Sequence, residues 1–210
     1  WLWVYPSRDR DAISSTVAFN EFEGPKKKVE YLYCDNAPEL EAAATQRGWC
    51  YDTSIQGRPK TNGLAESKVD LVCSGTRTIL LQAGMESHWW PMAARYFCFT
   101  RNIELNNGDS SWNRRHKNGH FNGPRIPFGA LVYFLPSPVY LQKNPVPKMD
   151  PKGLPGVFLG YHVQSGGVWK KQYWCAAVKD FQESPDHKVY LHRVSEVIYD
   201  KKRPWRFKLV

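Results

Sequence analysis

The sequence has no apolar run long enough to cross a membrane as a helix, no cysteines in CxxC spacing, and too few acids to balance its bases. The first absence leaves no basis for a membrane span. The second excludes a disulfide framework and a cysteine-based zinc site. The five scattered cysteines (Cys34, Cys50, Cys73, Cys98, Cys175) read as reduced, mostly buried thiols of an intracellular protein. His116 and His120 are four apart, but with no cysteine pair beside them they read as part of a solvated loop. There is no secretory leader, and the chain opens on Trp1 without a methionine, so it is expected to be a segment of something longer.

What is present is a globular composition, 42% hydrophobic and 14% aromatic over 210 residues, enough for one or two domains. The imbalance of charge, 29 Lys+Arg against 20 Asp+Glu, is unevenly placed. Residues 129–210 hold 13 bases against 6 acids, a surplus of seven, whereas residues 1–128 hold 16 against 14, a surplus of two. A basic module joined to a near-neutral one points to a polyanionic partner, with a solubilising surface as the plainer alternative.

Periodicity divides the chain. Trp1–Tyr5, Lys28–Cys34 and Trp49–Thr53 read as strands. Asp11–Phe22 and Pro38–Arg47 read as helices, the second with Pro at its first turn and Gly48 past its end. A polar loop, S-I-Q-G-R-P-K-T-N-G, precedes a long helix from about Leu64 to Gln82 whose apolar stripe is Ala65, Val69, Val72, Thr76, Ile79 and Ala83. Another helix runs from Ser87 to about Leu105, with Trp89 and Trp90 at its start read as core, a partner-binding surface being the alternative. Residues 106–127 are polar and read as a linker. Beyond them the period changes to short β-branched and aromatic runs (F-G-A-L-V-Y-F-L, G-V-F-L-G-Y, Q-Y-W-C-A-A-V, K-V-Y-L-H-R-V), which predict a small antiparallel barrel or sandwich.

Asp35 ends the apolar run Tyr31–Cys34, and Glu66 opens the long helix after the loop. Asp35 can be read as a helix cap or as a metal-holding carboxylate. For the second reading, two facing carboxylates repel unless a cation lies between them. Mg²⁺ or Mn²⁺ suits such oxygen ligands, and paired metals about 4 Å apart serve phosphodiester chemistry. On spacing alone most such acid pairs are unrelated surface groups.

The surrounding residues add to this. D-N at 35–36 and T-S-x-x-G-R-P-x-T-N-G-L-A-E at 53–66 resemble the integrase core of copia-type retrotransposons. S-H-W-W-P-M-A-A-R-Y resembles that family's next helix. G-P-R-I-P-F-G-A-L-V-Y, P-K-G-L-P-G-V-F-L-G-Y and V-Y-L-H-R-V-S-E-V-I-Y-D resemble the β module that follows the core, in the family's order. The resemblance implies an N-terminally truncated ribonuclease H-like α/β core over residues 1–108, a linker at 109–127 and a small all-β SH3-like barrel over 128–210.

It further implies that Asp35 and Glu66 are the second and third acids of a D,D,E set holding Mg²⁺ or Mn²⁺. The first acid would lie on a strand ahead of Trp1. The implied reactions are trimming of element DNA ends and attack of a 3′-hydroxyl on target DNA, carried out by a homo-oligomer without membrane association, inside the cell and with the nucleus as site of action. Arg58, Lys60 and Asn62 would belong to the loop beside the site, with Lys68 just beyond it. Lys170 and Lys171, next to Tyr173 and Trp174, and Lys201, Lys202, Arg203 and Arg206 around Trp205, are candidate DNA contacts, although exposed lysine over a β core explains the former nearly as well. Two departures from the family's pattern stand out: "N-A-P-E-L" lacks the usual glycine after Asp-Asn, and Asp70 lies one turn beyond Glu66, where like charge is unfavourable. A DNA-binding remnant without catalysis and a structural module of an integration complex are the alternative readings.

Overall fold

The computed structural model describes residues 1–55, 62–183 and 189–202, with the side chains of 182 and 183 left aside. It is a mixed α/β chain that divides into two compact units. One comprises residues 3–74 with 163–168; the other comprises residues 1–2, 75–162 and 169–210.

In the first unit, helix α1 (Ala12–Glu23) begins at Asp11, whose carboxylate accepts the Ser14 N–H at 2.7 Å, and ends at Gly24 in a positive-φ conformation (67°). Capping is the role expected of a short acid at that position. Strand β1 (Tyr31–Cys34) leads into α2 (Pro38–Arg47) and then into β2 (Cys50–Thr53), and the two strands pair in parallel, Tyr31 opposite Cys50 and Cys34 opposite Thr53. A parallel pair needs a crossover, and α2 supplies it. Its closely packing face is made of Ala43 and Ala44, both fully buried, while Phe19 of α1 stacks on Trp49 with centroids 4.9 Å apart.

Strand β1 is shorter than the Lys28–Cys34 expected, because the Val29 N–H is taken by the Glu23 carboxylate at 2.8 Å instead of by a ladder partner. Glu23 also pairs with Arg47. The Val29 N–H, together with Arg47, holds the Glu23 carboxyl below the usual glutamate range against the opposing effect of burial.

Helix α3 (Gly63–Ala83) has the expected extent, but its expected stripe is only partly inside. Thr76, Leu80 and Ala83 are buried, whereas Ala65 and Val69 are exposed. The helix enters a core only in its C-terminal half, within the second unit.

There a 3₁₀ turn (Ser87–Trp89) starts α4 (Trp90–Ile103). Trp89 is buried; Trp90 is 45% exposed and so lies outside the core expected for it. The polar stretch after α4 is not an unstructured linker. It forms a short antiparallel hairpin, β3 (Leu105–Asn106) with β4 (Asp109–Ser110), and helix α5 (Ser111–His116), capped by the Ser110 hydroxyl on the Asn113 N–H. Trp112 and Ile126 of this stretch are buried. Its polar residues are spent on turns and caps while two apolar ones anchor it.

Strands β5 (Leu131–Phe134), β6 (Leu154–Gln164), β7 (Val168–Ala177), β8 (Leu191–Val194) and β9 (Val197–Ile198) form one five-stranded antiparallel sheet in the order β8-β7-β6-β5-β9. Short helices α6 (Pro138–Lys143) and α7 (Val178–Glu183) lie between strands. On one face of the sheet, Val157, Leu159 and Ala176 pack with Leu80, Ala83, Trp89 and Ala93 of the helices. Phe99 stacks on Tyr161 with centroids 4.1 Å apart, and the Tyr161 hydroxyl donates to the Pro124 carbonyl (2.8 Å) while accepting the Ile126 N–H (3.1 Å). That pairing is why an aromatic with a polar end can be buried here.

Trp1–Tyr5, expected as a strand, is not one. Both backbone groups of Leu2 are satisfied by a side chain: its N–H donates to Asn102 Oδ1 (2.9 Å) and its carbonyl accepts Asn102 Nδ2 (2.6 Å). Among the described residues no helix is long and apolar enough to cross a membrane.

Candidate functional site

Asp35 directly follows β1, at the carboxyl end of the parallel pair, and its side chain is exposed. Two hydrogen bonds to one of its oxygens hold it there. Its Oδ1 accepts the Asn36 N–H at 2.9 Å and the Ser54 hydroxyl, also at 2.9 Å. Ser54 comes from just past β2, is itself buried, and donates its N–H to the Cys34 carbonyl at 3.0 Å, extending the strand pairing by one step. The guanidinium of Arg10, ion-paired with Glu39, lies within the field of Asp35.

Cap or metal ligand was the question posed by Asp35. The N-cap of α2 is Ala37, with no side-chain cap, so Asp35 does not cap the helix through that position. Its Oδ2 makes no hydrogen bond to a described residue. An exposed carboxylate with one oxygen anchored and one open is a fitting hard donor.

Ser54 is the residue that sequence reasoning passed over. It stands inside the quoted T-S-x-x-G-R-P motif, but the pairing register that puts it against Asp35 is a property of the fold.

Burial pushes the Cys34 thiol up from its ordinary value, with the negative charges of Glu41 and Asp35 adding to the effect. Cys98 and Cys175 are pushed up to about 12 by burial alone. All five cysteines are free; Cys50 and Cys73 are exposed, whereas the buried thiols of Cys34, Cys98 and Cys175 are inert packing groups.

Glu66 sits in the first turn of α3, exposed, with its N–H on the Asn62 carbonyl at 3.1 Å. An acid there complements the positive end of the helix dipole. Asp35 and Glu66 belong to the same compact unit. Among the described residues no group of three or more His, Cys, Asp or Glu side chains is gathered to hold a metal. Asp35 and Glu66 are each an exposed carboxylate, a donor type suited to hard divalent ions.

Asn62 is half-buried in the turn before α3, and Lys68 is exposed on it; Arg58 and Lys60 lie outside the described residues. Lys170 and Lys171 are exposed on β7, Lys171 with a positive φ of 54°. Lys201 and Lys202 are exposed, with the Lys202 N–H on Asp200 Oδ1 at 2.9 Å, and Arg203 and Arg206 lie outside the described residues. His116 packs on the rings of Trp1 and Trp112, and the His120 ring meets the Ser110 hydroxyl at 3.3 Å. They are separately engaged in packing and hydrogen bonding.

No family model matches the chain. Over 176 residues it is 23% identical to the retrovirus-related Pol polyprotein from transposon TNT 1-94 of Nicotiana tabacum, a match that takes in 76% of this chain and 12% of that polyprotein. The chain therefore spans a small part of the curated relative it matches. Among solved structures it is similar to a chain of the simian T-cell lymphotropic virus intasome in complex with PP2A regulatory subunit B56 gamma. That similarity covers 92% of this chain and 66% of that one, at 12% identity and a TM-score of 0.41, too low to assign a fold. The sequence match agrees with the motifs: the chain is similar to part of a retrovirus-related Pol polyprotein of a transposon.

Proposed function

We propose that this chain is a ribonuclease H-like core segment and an SH3-like β module of a retrotransposon integrase, acting in Mg²⁺- or Mn²⁺-dependent DNA strand transfer within a longer polyprotein. The observation that carries this reading is the placement of Asp35. It is an exposed carboxylate at the carboxyl end of a parallel strand pair, pinned by Ser54 with one oxygen open, in the same unit as a glutamate that opens the next helix. The proposed core is residues 1–108 and the proposed β module 128–210, joined through 109–127.

In this reading Asp35 and Glu66 hold the divalent ion together with an acid from outside the described set. When bound, the metal lowers the cost of charge on an attacking and a leaving oxygen of the phosphodiester. The chain's own part is positional. Ser54 fixes the Asp35 carboxylate, and the α3 N-terminus supports a negative Glu66. Lys68, Arg58, Lys60, Asn62, Lys170, Lys171 and the basic tail Lys201–Arg206 contribute phosphate contacts that hold element-end and target DNA. The active form would be a homo-oligomer working in the nucleus.

The test is strand transfer by the longer polyprotein carrying Asp35→Asn or Glu66→Gln. Both changes should abolish Mg²⁺-dependent product while leaving DNA binding in place. Undiminished product would end the catalytic reading.

A second reading, DNA binding without chemistry, draws support from Asp70. It is exposed one turn beyond Glu66, where it adds negative charge to a place meant for phosphate. Under that reading the polyprotein binds DNA and yields no product even unaltered. A structural role of the β module is the third. Removing everything after Pro127 should flatten the salt dependence of DNA binding if the module touches DNA, and leave it unchanged if it only assembles.

A further inference from the structure

Most arginines that carry a polar contact in this structure have a carboxylate partner: Arg10 with Glu39, Arg47 with Glu23, Arg101 with Glu104. Among the described residues Arg95 and Arg193 have none. Arg95 comes from α4 and is half-buried, with a Nε that is shielded from solvent and has no hydrogen-bond partner. Arg193, exposed on the edge strand β8, is the cross-strand neighbour of Trp174 on β7. The His162 ring at the end of β6 meets Trp174 edge-on, centroids 5.1 Å apart. Both guanidiniums lie within the field of His162. Four elements, α4, β6, β7 and β8, thus bring two cations, an imidazole and an indole together, on the side of the sheet where Trp174 packs against the helix-lined core.

No carboxylate offsets this charge among the described residues. Burial alone disfavours the imidazolium of His162, and the two arginines add to that. A buried guanidinium nitrogen without an acceptor carries an uncompensated desolvation cost. An anion with several acceptor oxygens removes both costs at once. Guanidinium forks match phosphate geometry in particular.

We propose that Arg95, His162 and Arg193, grouped beside Trp174, form a binding site for a backbone phosphate of a nucleic-acid strand. Trp174 selects the strand over free phosphate, because its indole offers a stacking surface to the attached base or sugar. The site shares with the proposed function only the nucleic-acid partner, and it needs neither Asp35 nor Glu66.

The experiment is a polarisation titration of a labelled single-stranded oligonucleotide against the full chain over a series of salt concentrations. Arg95→Met and Arg193→Met keep the apolar stem and remove the charge; Lys26→Met, on an exposed turn of the other unit, serves as control. Melting temperatures recorded alongside show that each variant is folded, and Arg193, being exposed, is the variant least able to disturb the core. In a parallel arm, inorganic pyrophosphate is titrated while the His162 ring resonances are followed.

Each arginine variant is expected to weaken binding about five- to tenfold and to reduce the log–log salt slope by about 0.7. The control should leave both unchanged. Unaltered affinity and slope in folded Arg95→Met and Arg193→Met, with the parent chain still binding, would overturn the site and leave DNA binding itself standing. No binding by the parent chain would overturn both this site and the DNA-binding part of the proposed function. A His162 response to pyrophosphate alone, without oligonucleotide binding, would overturn the nucleic-acid source.

Discussion

The unit that carries Asp35 and the unit built on the five-stranded sheet hold themselves together differently. The first buries Cys34, Ala37, Ala43, Ala44 and Trp49, mostly small side chains, and leaves Ile13, Val17, Tyr31, Tyr33, Leu64 and Val69 between 47% and 77% exposed. The second encloses Phe99, Phe158, Leu159, Val132 and Val157 almost completely. The first unit relies on hydrogen bonds and close helix approach to fix a few polar groups, with little apolar area behind them. The second has the area, and its polar groups within the core, such as the Tyr161 hydroxyl, are satisfied in place. Local stability should follow burial, with the lean unit opening more readily.

This contrast can be tested most severely at the acids. Because Asp35 and Glu66 are exposed, Asp35→Asn and Glu66→Gln should lower strand transfer in the longer polyprotein by on the order of 10³-fold or more with hardly any change in melting. A large loss of stability in either would mean that the first unit depends on its acids structurally.

Next in size is Phe99→Ala, expected to cost about 3–5 kcal/mol by denaturant titration. Val69→Ala on the exposed half of α3 should stay within about 0.5 kcal/mol. Equal costs would erase the difference between the units. Ser110→Ala removes the cap of α5 and should cost about 1 kcal/mol; no cost would return residues 106–127 to the status of a linker.

The smallest effect is set by pH. Glu23 has a carboxyl held below its ordinary range, so its contribution is present above the unfolded value and is lost as pH falls through the folded one. Acid should therefore loosen the first unit below about pH 4, and Glu23→Gln should remove that dependence, as read by hydrogen exchange of the Val29 amide.

The elements with strong local signals were readable from sequence. Pro38 and Gly48 bracket α2, Asp11 caps α1, and the β-branched runs became β5 to β8. Where local signals competed with partners far along the chain, the reading failed. Asn102 claims both backbone groups of Leu2 from 100 residues away, and Glu23 claims the Val29 N–H; neither is visible as periodicity. The α3 stripe has a sound helical period, but period does not say which turns meet a core. At the site, Asp35 and Glu66 could be singled out from residue type and resemblance, whereas Ser54 could not, because its role follows from the register of two parallel strands. The Arg95–His162–Arg193 group was equally invisible, its members being 31 to 98 positions apart.

One feature of the first unit bears on how the chain can be divided. A side chain at Gly24 would run into the backbone of Gly166, in the turn that joins β6 to β7, so the end of α1 and that turn meet glycine to glycine. The turn is encoded some 140 residues after the helix it touches. A cut at Ser74 would therefore strip the acid-bearing fragment of a wall that only the distant hairpin supplies, and Gly24→Ala should mimic that cut in the uncut chain.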